Sequence, residues 1–244
     1  PYRGLVAIVA AASLLTGAVG AVSLAGVSPA FRELFGITSE EQAKNLGIVQ
    51  MNQVFEDKNG SGATVTVKEA AADQEQFYIL VEFAAPEGTV LPEPDQVEEG
   101  FNRAVLWGGP DGRGIGFGAY RDESCTSFIG SSEAGYAIDY VEDSDPTDNK
   151  MEFIIRGHID PMPKDAAYCL FSGIQSLCMQ YQGEWVTMLD GMDIDLIVPL
   201  VGMGTHYDFQ GRCGVNLNGV TLAVAENLTI SPISVSMDLS LIHI

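Results

Sequence analysis

The chain has 244 residues, 46% of them hydrophobic, which is ample for a packed core and suits an anchor plus one or two globular units. Its 33 acidic residues face only 12 lysines and arginines, and just two of those bases, Arg3 and Arg32, precede the first acid at Glu33. The bulk of the chain is therefore strongly acidic, which excludes binding to nucleic-acid phosphates and opposes lying flat on anionic lipid.

Residues 4–27, from Gly4 to Val27, form an uncharged run of 24 residues rich in Ala, Val and Leu. As a helix it would span roughly 36 Å at about 1.5 Å per residue, more than the ~30 Å hydrocarbon core. A transmembrane anchor over 1–30 is the expectation, since a buried helix of a soluble protein seldom lacks a polar face for so long. The rival is a cleaved signal peptide, with the small residues Ser28-Pro29-Ala30 at the cut and an unusually long apolar region. Both place the remainder outside the cytoplasm, so the expected location is a cell membrane, single-pass. Arg3 and Arg32 leave orientation by charge nearly tied; the acidic bulk and the cysteines lean toward the N-terminus inside. The start at Pro1 and the apolar end Leu241-Ile242-His243-Ile244 suggest lost residues upstream and a cut C-terminus.

Residues 31–47 read as a short helical juxtamembrane stalk. Phe31-Arg32-Glu33-Leu34-Phe35 ends at Gly36, and Thr38/Glu41 and Ser39/Gln42 both fit a capping box for a second helix stopped by Gly47. From Ile48 the period becomes two. Thr64-Val65-Thr66-Val67-Lys68-Glu69 and Phe77-Tyr78-Ile79-Leu80-Val81-Glu82-Phe83, joined by a polar bend at Asp73, read as a hairpin. Further strands are expected over 114–120, 135–141, 151–156 and 168–177, separated by turn-rich stretches. A second unit begins near Gln182-Gly183-Glu184-Trp185, with strands over 193–200, 228–230 and 233–241. Asn218-Gly219 is the strongest hairpin signal, because both turn positions need φ > 0. Many short strands favour β-sandwiches over a parallel sheet. The expected division is a first β-sandwich over 48–181 and a second over 182–244, the latter open to being incomplete.

The anchor ending in Phe31-Arg32-Glu33-Leu34-Phe35-Gly36-Ile37, the strand 64–69, and Asp73 leading into Phe77-Tyr78-Ile79-Leu80 resemble one uncharacterised bacterial ectodomain family, domain of unknown function 4179. Gly183-Glu184-Trp185, Leu217-Asn218-Gly219-Val220 and Leu228-Thr229-Ile230-Ser231-Pro232-Ile233-Ser234-Val235 share the likeness. That family follows the transmembrane helix of proteins resembling anti-sigma factors. The resemblance implies a mainly β fold, with an N-terminal transmembrane helix and a short helical stalk followed by two immunoglobulin-like β-sandwich domains. It implies a non-catalytic extracytoplasmic sensing or interaction role, with a protein partner outside and a sigma factor held through a cytoplasmic segment that these residues lack. It carries over no catalytic residues. A membrane-tethered or secreted structural or adhesive surface protein, binding a partner protein or glycan, is the alternative.

The four cysteines, Cys125, Cys169, Cys178 and Cys213, are disulfide candidates in such a compartment. On one extended strand Cys169 and Cys178 would lie roughly 30 Å apart, so Cys125–Cys169 and Cys178–Cys213 are the pairs considered, unless a bend at Gly173 rejoins Cys169 and Cys178. Reduced, buried thiols are the plain alternative. Asp143, Asp145 and Asp148 form a weak calcium candidate in an acidic loop, where a solvated loop is the commoner outcome. Asp57-Lys58-Asn59-Gly60 imitates a calcium loop but has Lys68 at the twelfth position, so a turn is expected. Gly112, Gly114, Gly116 and Gly118 lack a following helix for a dinucleotide fold, so close approach of a neighbour explains them better. No histidine or serine motif points to an enzyme or a cofactor, and Trp107 and Trp185 are expected in core or strand-end packing.

Overall fold

A computed structural model of the chain describes residues 23–73, 75–89, 91, 104–107, 116–131, 134–141, 145, 147–159, 162–163, 165–200, 205–217 and 220–241. Most of the expected anchor, residues 4–22, lies outside them. Its last residues, Ser23 to Val27, do not continue a long helix: Leu24–Gly26 is a 3-10 turn and Val27 is buried. No helix among the described residues is long and apolar enough to cross a membrane.

Two short helices follow, α1 (Pro29–Leu34) and α2 (Glu40–Asn45). Ser28 caps α1, with Pro29 at its first position, where the missing N–H costs nothing. The end of α1 is a Schellman motif: Ile37 N–H donates to Arg32 C=O and Gly36 N–H to Glu33 C=O, with Gly36 at φ +61°. Of the two possible capping boxes, Ser39 with Gln42 forms. The expected helices are present, but they are not a free stalk. Phe31, Ile37, Ala43 and Ile48 bury themselves against Ala71, Leu80 and Ile154 of the first sheet, because each helix has one apolar edge and the sheet offers it an apolar face.

Thirteen strands follow among the described residues, all antiparallel where paired: β1 (Val49–Glu56), β2 (Thr64–Ala72), β3 (Gln76–Ala84), β4 (Ala104–Trp107), β5 (Gly116–Tyr120), β6 (Phe128–Ser131), β7 (Ala134–Val141), β8 (Lys150–Ile159), β9 (Tyr168–Tyr181), β10 (Glu184–Pro199), β11 (Thr205–Leu217), β12 (Val220–Ile230) and β13 (Val235–Leu241). The first sheet has the order β1-β2-β3-β8-β7 and the second β10-β9-β5-β6, with β4 also on β9. The third is β11-β12-β13. The first two share one core. Phe77 of the first meets Phe171 of the second edge-on at 4.8 Å, and Phe117 packs on Phe171 at 5.1 Å, the edge-to-face arrangement that aromatic quadrupoles favour.

The expected boundary at 181/182 falls inside the second sheet. Gln182 and Gly183 take φ +52° and +80° between the paired residues Tyr181 and Glu184, so this is a two-residue hairpin turn. β10 then joins the same core through Leu189, Ile194 and Leu196. The Leu217–Val220 pairing matches the expected second hairpin, whose turn residues 218 and 219 lie outside the described set.

Candidate functional site

The outer face of the first sheet gathers the N-terminal segment, both helices and the turn leading into β13. A β-bulge makes this possible. Between Val67 and Glu69 the β2–β3 register shifts by one residue, which reverses the side on which later residues stand. Glu69, Ala71 and Asp73 then share the outer face, whereas simple alternation would have put Glu69 beside Val65 and Val67 in the core.

Glu69 and Asp73 are each only 2% exposed, an expensive position for a carboxylate unless its lone pairs are used. Both are well supplied. Ser28 donates its backbone N–H to Glu69 Oε1 at 2.7 Å and its hydroxyl to Oε2 at 2.8 Å, and Gln50 Nε2 donates to Oε1 at 2.8 Å. The same Gln50 amide reaches Gly26 C=O at 2.8 Å. Glu69 thus fastens the segment entering α1 onto the sheet. Asp73 fastens the other end of the molecule. Its Oδ1 accepts the N–H groups of Glu75 and Gln76 at 2.8 and 2.7 Å, shaping the β2–β3 bend. Its Oδ2 accepts the hydroxyls of Ser231 and Ser234, the latter at 2.5 Å. Ser231 in turn accepts the N–H groups of Ile233 and Ser234, and Ile233 packs beside the same apolar cluster as Leu24.

Around these carboxylates Phe35 stacks edge-on against Phe31 at 5.4 Å and against Tyr78 at 5.0 Å. Burial pushes the Tyr78 hydroxyl pKa up, partly countered by Arg156. Beyond them Lys68, half-buried, meets Glu152 at 2.5 Å and Glu82 at 3.3 Å. Burial opposes its charge, but the two carboxylates outweigh that and hold its pKa above the ordinary value. The arrangement is one of fastening: two short tethers converge on one strand.

Of the residues expected to carry chemistry, Asp143 lies outside the described set. Asp145 accepts the N–H and hydroxyl of Thr147, and Asp148 accepts the N–H of Lys150, so each shapes its own turn. No group of metal-ligating side chains occurs among the described residues. Asp57 likewise accepts the N–H groups of Asn59 and Ser61 ahead of β2. Cys125, Cys169 and Cys178 are free thiols. Gly173 takes φ +81°, yet β9 stays paired with β10 from Tyr168 to Tyr181, which keeps Cys169 and Cys178 roughly 30 Å apart. Cys169 is buried between Ala119 of β5 and Val198 of β10, close enough to Cys125 to be affected by its charge. Cys213 pairs through its backbone with Ala225; its side chain lies outside the described set. Gly116 and Gly118 do permit close approach: a Cβ would stand 2.8 Å from Ser172 Oγ at the first and 2.9 Å from the Tyr120 ring at the second. Trp185 sits at the end of β10 rather than in the core, 53% exposed beside the β9–β10 turn, with Val186 exposed next to it. An apolar cavity of about 30 Å³ between Phe77, Ile79, Phe171 and Ile194 has room for only a water-sized group or two.

No family model matches the chain, and no curated protein does. Its fold is similar to the crystal structure of a conserved domain protein from Bacillus anthracis, with a TM-score of 0.51 at 12% identity over 87% of this chain. This chain spans 62% of the length of that one. The likeness concerns the fold alone.

The two buried acids were missed by sequence reading. The available signal was an acid at each end of Glu69-Ala70-Ala71-Ala72-Asp73, where small residues leave room for another segment to pack.

Proposed function

We propose that the chain is the non-catalytic, extracytoplasmic sensing or interaction region of a single-pass membrane protein resembling anti-sigma factors. The observation that carries this reading is the fastening of Ser28 by Glu69. A signal-peptide cut within Ser28-Pro29-Ala30 would strip Val27 from the apolar cluster and leave the buried Glu69 carboxylate without two of its three donors. Retention of the N-terminal segment accords better with this fold. The 19 uncharged residues 4–22 would give roughly 28 Å of helix, within the range that spans a bilayer. Displacement of the third sheet by a partner would pull on Asp73, and β2 would pass the strain through Glu69 to the root of the helix. A sigma factor would be held by a cytoplasmic segment ahead of that helix.

The test is N-terminal sequencing of the protein extracted from its native membrane, with alkaline carbonate washing. The expected result is a start upstream of Ser23 and retention in the membrane fraction. A mature start at Phe31, or release by carbonate, would overturn the anchor. The second reading, a tethered or secreted adhesive surface protein, draws support from exposed Trp185 and Val186, since exposed tryptophan is enriched at binding hot spots.

A further inference from the structure

A row of rings runs across the outer face of the second sheet. On β5 Phe117 and Ala119 are buried, so Gly116, Gly118 and Tyr120 stand on the outer side. The register pairs Tyr120 with Phe128 on β6 and with Tyr168 on β9, and Tyr168 with Pro199 on β10. Cross-strand partners share a face, so these four form one row over four strands. The Tyr120 and Phe128 rings meet at 5.5 Å with their planes 65° apart, making a corner. Gly118 lets Tyr120 lie down: a Cβ there would stand 2.9 Å from Cε2 and 3.4 Å from the hydroxyl. Phe128 is 57% exposed, and Tyr120 and Tyr168 are half-buried.

One carboxylate on this face is uncommitted. Asp195 lies between the buried Ile194 and Leu196 of β10, hence outward and exposed. Burial pushes the Tyr120 hydroxyl pKa up, and the charges of Cys125, Asp195 and Cys169 add to it, so Asp195 is within electrostatic reach of the ring. The acids of the adjoining loops are used: Asp122 accepts from Ser124, Thr126 and Ser127, and Asp165 holds Arg121 at 2.5 Å. Asp195 has no hydrogen bond or ion pair among the described residues.

We propose that this corner binds a quaternary ammonium group, with the ring row taking its methyls and Asp195 opposing its charge. Such a cation is attracted by the negative ring faces and gives up little hydration, whereas sodium or a lysine-type ammonium keeps its water. Anionic ligands are repelled by Asp195 and by a net charge of −21. A neutral apolar ligand would use the rings but leave the carboxylate desolvated and unpaired. The site does not depend on whether the N-terminal segment is retained, so it stands apart from the reading above.

The test is titration of the isotope-labelled 244-residue chain, in a maltoside detergent, with tetramethylammonium chloride, followed by amide chemical shifts. Sodium chloride at equal ionic strength and tert-butanol, the uncharged isostere, are the controls. The expected result is saturable shifts at residues 118–120, 128–131 and 195–197, absent with sodium chloride and at least about threefold weaker with tert-butanol. Asp195→Asn and Phe128→Ala should each weaken tetramethylammonium binding about threefold to tenfold. Both side chains are exposed, and unchanged amide shifts around Phe77 show that the fold is intact. Shifts reproduced equally by either control, or unaffected by Asp195→Asn, would overturn the proposal. Tighter binding of N-acetylarginine amide would assign the corner to an arginine of a protein partner and overturn it as well.

Discussion

The two-sheet sandwich and the three-stranded sheet obey the same alternating code, yet among the described residues only the sandwich has both layers. In the sandwich, Phe77, Phe117 and Phe171 interlock from opposite sheets. In the third sheet, Val235 and Met237 stand largely in solvent. Alternation therefore locates strands and their dry side but does not say what closes that side. The two regions are also joined differently from the way the sandwich is built: apolar area holds the sandwich together, whereas two serine hydroxyls on one buried carboxylate, with Ile233 beside them, tie the turn ahead of β13 to it.

The sharpest way to break this contrast is to empty the sandwich. Phe77 is buried and touches aromatic rings from the opposite sheet. Phe77→Ala should cost about 3–5 kcal/mol, the usual range for a buried aromatic truncated to alanine. Urea unfolding followed by tyrosine and tryptophan fluorescence measures it. A loss below about 1 kcal/mol would mean the two sheets do not share a tightly packed core.

The fastenings come next. Glu69→Ala removes the acceptor for Ser28 N–H, Ser28 Oγ and Gln50 Nε2, and leaving such donors unsatisfied costs about 1–3 kcal/mol. The loss should be local, with residues 23–36 becoming the first site of proteolytic cleavage while the sandwich midpoint moves little. Asp73→Ala should act first at the opposite end, speeding amide exchange in β13, with a smaller rise in exchange at the Ser28 amide carried along β2 to Glu69. If each loosens its own end and only the double variant loosens both, the two carboxylates act independently, and transmission along β2 fails.

Much of this was legible in the residues. Gly36 and Gly47 mark helix ends because each requires φ > 0, and Ser39 with Gln42 announces the second helix. The β2–β3 and β11–β12 hairpins follow from alternation and turn chemistry. What stayed hidden depended on register. The bulge at Lys68 turns Glu69 outward, and no local pattern predicts an inserted residue. Gln182-Gly183 reads as the start of a second unit because its role as a turn depends on a 16-residue β10 that pairs back along β9. The helices at 29–45 looked like a stalk because their apolar edges are short, and only the sheet face shows what covers them.

A smaller effect tests the burial of the cysteines. Burial, assisted by Cys125, pushes Cys169 up to about 12, and burial with Asp122 pushes Cys125 up to about 11, from an ordinary 9.0. The unfolded chain therefore ionises first. Stability from this source is full below pH 9 and falls as pH rises from about 9 toward 11 and 12. At pH 8 both thiols should react with a disulfide reagent at least about a hundredfold more slowly than free cysteine. Rapid labelling of Cys169 would mean the β5–β9–β10 layer opens readily. A disulfide-linked peptide pair containing Cys125 and Cys169, released only on reduction, would instead establish the Cys125–Cys169 bond.

The smallest expected effect bears most directly on the contrast. Val235→Thr and Met237→Gln alter side chains that already meet water, so in the 244-residue chain each should shift stability by no more than about 0.5 kcal/mol. The same changes in a protein whose third sheet is covered would bury a polar group against apolar neighbours, at about 1–3 kcal/mol. The difference between the two contexts, read from paired urea titrations, measures the closing layer without requiring its structure. Equal, near-zero losses in both would leave the third sheet open by nature, and its apolar side would then be a standing surface for a partner.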